Sequence, residues 1–101
     1  MNVGLLFRLT ATTGTEDDVS RFLESELDAA IRELPLAEWH ALRFGIVDFG
    51  VLAIFDDRAG EQSHVGDRVA EVLADRADGL LTGPPEVESF DVLMSRVAAQ
   101  R

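Results

Sequence analysis

Residues Trp39–His64 read WHALRFGIVDFGVLAIFDDRAGEQSH, and this stretch decides the fold. It scans as a strand, a tight loop, a second strand, then a helix that opens on an acidic pair with a histidine in its second turn. The second strand, Phe49 to Phe55 (FGVLAIF), has no polar side chain at either parity. Side chains of a strand alternate between two faces, so both faces of this one require cover.

Working outward, Val3 to Ala11 (VGLLFRLTA) predicts strand one. Its odd positions are all apolar, while Gly4, Leu6, Arg8 and Thr10 make a mixed even face. Thr13-Gly14-Thr15 predicts a turn, with Thr15 as N-cap before Glu16-Asp17-Asp18. A helix to about Leu34 follows from the stripe Val19, Phe22, Leu23, Leu27, Ala30, Ile31 and Leu34, and Pro35 stops it. Strand two covers Glu38 to Phe44, and Gly45 to Asp48 closes a hairpin into strand three. Asp56 or Asp57 caps the second helix, whose stripe is Val65, Val69, Val72, Leu73 and Ala77. That helix reaches about Asp78, with Gly79 as its C-cap. Leu80 to Pro85 (LLTGPP) is a loop, because prolines cannot pair inside a sheet. Val87 to Val97 predicts strand four.

The order βαββαβ is the ferredoxin-like pattern of an α+β domain, a single domain over residues 1–101. Two helices cover one face of such a sheet. The other face, apolar on strands one and three, is expected to meet a second copy in a two-fold homodimer.

Composition excludes several function classes. Nine arginines, with no lysine, stand against 19 acidic residues, a net charge of -10 at pH 7. Such a surface repels nucleic acid and anionic membranes. Absent cysteine rules out disulfides, thiol nucleophiles and cysteine-based metal sites, and absent lysine rules out Schiff-base chemistry. The arginine-only basic set is what a GC-rich bacterial gene would encode. The N-terminus reaches Arg8 too early for a signal peptide, and no apolar run approaches the roughly 20 residues of a membrane span. The expectation is a soluble cytoplasmic protein.

The chain resembles the antibiotic biosynthesis monooxygenase domain family of the dimeric α+β barrel superfamily. The resemblance runs from Val3 to about Val97. It rests on Arg8-Leu9 and the Gly14 turn, on Trp39-x-Ala41-Leu42-Arg43, on Ile54-Phe55-Asp56-Asp57-x-Ala59-Gly60, and on Gln62-x-His64. Pro84-Pro85 and Asp91-Val92-Leu93 complete it. It implies two βαββαβ protomers joined sheet to sheet, each with a cleft between sheet and helices. It also implies oxygenation of phenolic aromatics without metal or flavin, so no cofactor and no metal is expected. Haem-degrading members are less similar. They would need an asparagine where Phe7 stands, a tryptophan in the second helix and a later histidine there. The second helix histidine common in the family is absent too, its neighbourhood holding Asp67 and Arg68.

Three residues are candidate catalytic groups. His64, near a positive helix N-terminus, would be a neutral imidazole able to accept a phenolic proton. Trp39 and Arg43 lie four apart on one strand face, suited to packing an aromatic ring and stabilising an oxyanion. Each also has a purely structural reading: a boundary histidine, a core tryptophan, and an arginine paired with a carboxylate. Arg8, Phe44 and Phe55 are candidate substrate-binding residues, although Arg8 could instead pair with Asp91 across the sheet. His40 faces away from Trp39, and its spacing to His64 matches no metal-ligand motif.

Two readings follow. The first is a cofactor-independent monooxygenase acting on a small aromatic phenol or quinol. The second is a non-catalytic dimeric barrel that binds a small hydrophobic ligand or serves a structural or regulatory role. A cleft between sheet and helices that is open and lined by Trp39, Arg43 and His64 would favour a binding or catalytic site, and a filled one the structural reading.

Overall fold

The computed structural model describes residues 2–32, 38–56, 61–94 and 96. Strand β1 (Asn2–Thr10) leads into a helix of three segments: α1 (Glu16–Arg21), a π-helical stretch (Phe22–Glu26) and α2 (Leu27–Ile31). Then come β2 (Glu38–Arg43), β3 (Asp48–Asp56), α3 (Glu61–Arg76) and β4 (Glu86–Asp91). The four strands form one antiparallel sheet in the order β2-β3-β1-β4. This is the α+β ferredoxin-like arrangement expected from the sequence. Pro35 and the expected caps Asp56 and Asp57 belong to segments whose side chains lie outside the described residues.

The odd face of the sheet carries the core. Val3, Leu5, Phe7 and Leu9 of β1 and Phe49, Val51, Ala53 and Phe55 of β3 are all buried. Onto them pack Val19, Phe22, Leu23, Leu27 and Ile31 from the first helix and Val65, Val69, Val72, Leu73 and Ala77 from the second. The second stripe, and the first as far as Ile31, therefore do what their spacing predicts, while Leu34 lies outside the described residues.

The π segment departs from the expected continuous α-helix. Its packing gives a reason: a π turn holds more residues than an α turn, which rotates Leu27 and Ile31 back over the core instead of letting the stripe drift off it. The Ser25 hydroxyl bonds the Arg21 carbonyl oxygen at 2.6 Å within this stretch.

Three further details differ from expectation. Thr15 precedes the helix but makes no side-chain cap. Its hydroxyl donates instead to the Thr12 and Leu80 carbonyl oxygens, tying the β1–α1 turn to the loop before β4. Strand β4 ends at Asp91, not Val97, because β1 supplies little more to pair with: Asp91 already stands opposite Val3. The second helix stops at Arg76, and Gly79 sits beyond it at φ 85°, the left-handed backbone that its C-cap role requires.

Candidate functional site

The register fixes where each candidate lies. Trp39 stands opposite Ala53, Ala41 opposite Val51 and Arg43 opposite Phe49, so Trp39 and Arg43 do share the helix-side face. They lie about 13 Å apart along the strand. Trp39 is half-buried against the core, and its indole N–H donates to the Asp28 carboxylate at 3.2 Å, which ties β2 to α2. At the other end of β2, the Arg43 guanidinium donates to the carbonyl oxygens of Gly45 and Ile46, both at 3.0 Å, and lies 4.9 Å from the Phe49 ring centroid. It clamps the hairpin.

Arg43 has a second electrostatic neighbour. The Glu16 carboxylate accepts the Gly14 N–H at 2.8 Å. That backbone bond, its own backbone N–H and the Arg43 charge hold the Glu16 carboxyl below the usual glutamate range.

His64 is exposed on α3, one step off the buried stripe that begins at Val65. At about 100° per residue it shares a flank with Arg68, Glu71 and Asp75. Gly66 stacks closely over Leu5, which is in register with Ala53 and through it with Trp39. His64 and Trp39 thus lie at one level of the sheet, and Arg43 lies at the opposite end. The cavities of about 500, 270, 140 and 90 Å³ do not bring Trp39, Arg43 and His64 together, and among the described residues side chains fill most of the layer between sheet and helices. No cluster of three potential metal ligands occurs among those residues either.

The candidate substrate-binding residues divide between the two faces. Phe55 is fully buried in the core. Arg8 and Phe44 meet on the open face, at the end of the sheet near the β2–β3 hairpin. There a cleft of about 500 Å³ crosses the strand ends. Arg8 and Thr10 of β1, Phe44, Asp48 of β3, Thr82, Pro84 and Glu86 are among the residues that line it.

Gly50 allows the ring to be there. A Cβ at this position would come within 2.8 Å of the Phe44 ring, so only glycine lets the ring lie on β3. Arg8 stands opposite Gly50 in the ladder, and its Cζ is 5.2 Å from the Phe44 ring centroid. This is cation–π geometry. The expected pairing of Arg8 with Asp91 does not form: Glu86 is the cross-strand neighbour of Arg8, while Asp91 lies opposite Val3 and faces the helix side. The cleft was missed as a unit because Thr82 and Pro84 reach it through a loop whose path the sequence does not reveal, and Glu86 through the pairing of β4 with β1. The available signal was the pairing of an arginine on a mixed strand face with a glycine in an otherwise bulky strand.

Comparison with known proteins places this architecture. No family model and no curated protein matches the chain. Among solved structures, an antibiotic biosynthesis monooxygenase assigned in Nitrosomonas europaea superposes with a TM-score of 0.68 at 14% identity, over 93% of this chain and 100% of that one. SnoaB, a cofactor-independent oxygenase from Streptomyces nogalater, superposes with a TM-score of 0.62 at 16% identity, over 93% and 95%. The fold is therefore that of the antibiotic biosynthesis monooxygenases, matching in three dimensions the resemblance carried by the sequence motifs. A protein of unknown function from Nitrosomonas europaea is 36% identical over 98% of this chain and 96% of its own, with a TM-score of 0.79. The chain belongs to the same family as that protein. Among the described residues, no helix is long and apolar enough to cross a membrane.

Proposed function

We propose that the protein is a small cofactor-independent monooxygenase that acts on an aromatic phenol or quinol and works as a homodimer joined through its sheet faces, with the cleft at the hairpin end of the sheet opening at the rim of that contact. The observation that carries this reading is the open-face cleft, where a guanidinium rests on an aromatic ring beside hydroxyl and carboxylate groups. The fold likeness to SnoaB supports it. In such a reaction a base removes a proton from the substrate, and the resulting carbanion reduces oxygen. The peroxide then collapses, so that an anthrone methylene and O2 become a carbonyl and water. Arg8 would hold the developing oxyanion, Phe44 would pack the ring, and Asp48 or Glu86 would take the proton. His64, with Trp39 and Arg43, forms the rival constellation on the helix side.

The dimer reading rests on the open face itself. Leu6, Leu42, Leu52, Ile54 and Phe90 are only half-buried there. A sedimentation experiment at micromolar concentration should show a dimer, and a monomer would refute that part of the proposal.

Oxygen uptake with an anthrone or a quinol tests the chemistry. Turnover that is lost in Arg8→Gln and kept in His64→Ala would locate the reaction in the cleft, and the reverse would move it to the helix side. The filled layer between sheet and helices favours the structural form of the second reading, a non-catalytic dimeric barrel. Under the second reading no oxygen is consumed, and a stoichiometric, unmodified ligand in native mass spectrometry would mark its ligand-binding form.

A further inference from the structure

The Arg8 guanidinium lines the open-face cleft. Arg21, Arg32 and Arg68 each bond a carboxylate, and Arg43 bonds two carbonyl oxygens. Among the described residues, Arg8 makes no hydrogen bond or ion pair, and its recorded contact is with the face of the Phe44 ring. A guanidinium lying over a ring keeps its N–H donors directed outward in its own plane, as a fork that matches a carboxylate. In an acidic chain of net charge -10, this guanidinium is, among the described residues, the one cation lining a cleft of about 500 Å³, where Asp48 and Glu86 supply the negative side.

The other groups narrow the ligand. The Phe44 ring and Pro84 offer apolar surface to a flat molecule. The Asp48 and Glu86 carboxylates accept hydrogen bonds from a hydroxyl and repel a second negative charge. We infer that the cleft selects a planar aromatic monoanion bearing a hydroxyl, a hydroxy-substituted arene carboxylate. Arg8 takes the carboxylate, Phe44 takes the ring, and the acidic side takes the hydroxyl. This rests on the proposed reading of the cleft as the ligand site and adds the charge and shape of what enters it.

The test is calorimetric titration of the full chain with para-hydroxybenzoate, phenol and benzamidine as probes. Para-hydroxybenzoate should bind about tenfold or more tightly than phenol, and benzamidine should not compete. Arg8→Gln should remove that preference, Arg8→Lys should restore part of it, and Arg68→Gln should leave it intact, with thermal melts confirming that each variant is folded. Equal affinity for phenol, tighter binding of benzamidine, or an unchanged preference in Arg8→Gln overturns the inference. So does an Arg8→Gln variant that binds as before but dissociates into monomers, since Arg8 would then serve the subunit contact. Arg8-dependent binding without oxygen uptake leaves this inference standing and defeats the oxygenase reading. Oxygen uptake from neutral phenols by Arg8→Gln does the opposite.

Discussion

The two faces of the sheet are built from the same strands yet do opposite things. On the helix side, every odd residue of β1 from Val3 to Leu9 and of β3 from Phe49 to Phe55 is buried. On the open side, the even residues Leu6, Leu52 and Ile54 are apolar but only half-buried, with Arg8 exposed among them. Apolar content alone does not separate the faces, because β3 is apolar on both. What separates them is cover: two helices lie on one face, and among the described residues no helix lies on the other. Among the described residues side chains fill most of the first face, whereas the second has both the cleft and the uncovered surface.

The largest test of that contrast is a matched pair of truncations. Phe7→Ala on the helix side should destabilise the fold by about 3–5 kcal/mol, from lost transfer energy plus the cavity left behind. Leu52→Ala on the open side should change the stability of an isolated protomer far less and should act mainly on self-association. Chemical denaturation at several protein concentrations checks both. Equal losses that do not depend on concentration would erase the distinction between the faces.

A smaller effect sharpens the open face. The Phe90 ring of β4 lies directly on Gly4, where an added Cβ would overlap it. Gly4→Ala must displace the ring and should cost about 1–3 kcal/mol by overpacking. A thermal melt measures the loss. A neutral result would mean that Phe90 moves aside freely and does not help to shape this surface.

The smallest effect concerns pH. The folded state holds the Glu16 carboxyl below its ordinary range, chiefly through the Gly14 N–H. Its contribution is therefore present above the unfolded glutamate pKa, about 4.3, and is lost as pH falls through the lower folded value. Glu16→Gln should reduce stability slightly at neutral pH and flatten the acid limb of the profile between those two values. An unchanged limb would show that this exposed group does not couple to folding.

Much of the fold was legible along the chain. The two helical stripes and the parity of β1 and β3 depend on local period, which the sequence prints directly. The π segment was not legible, because the rotation it supplies answers to where the core lies beneath Leu27 and Ile31. The early end of β4 was not legible either, because it depends on where β1 begins.

For the site, sequence spacing correctly put Trp39 and Arg43 on one face, but spacing carries no information about side-chain partners. In the fold Trp39 reaches Asp28, and Arg43 turns into its own hairpin. Arg8 shows the converse. Its residue type and strand parity were readable, but its neighbours Phe44, Gly50 and Glu86 come from three other strands or their ends. By itself, the sequence determined the βαββαβ order, the buried stripes and the acidic surface, all of which follow from local pattern and composition. Only the tertiary structure decided which face was left open and which cation stood unpaired on it, because both depend on contacts between residues far apart in the chain.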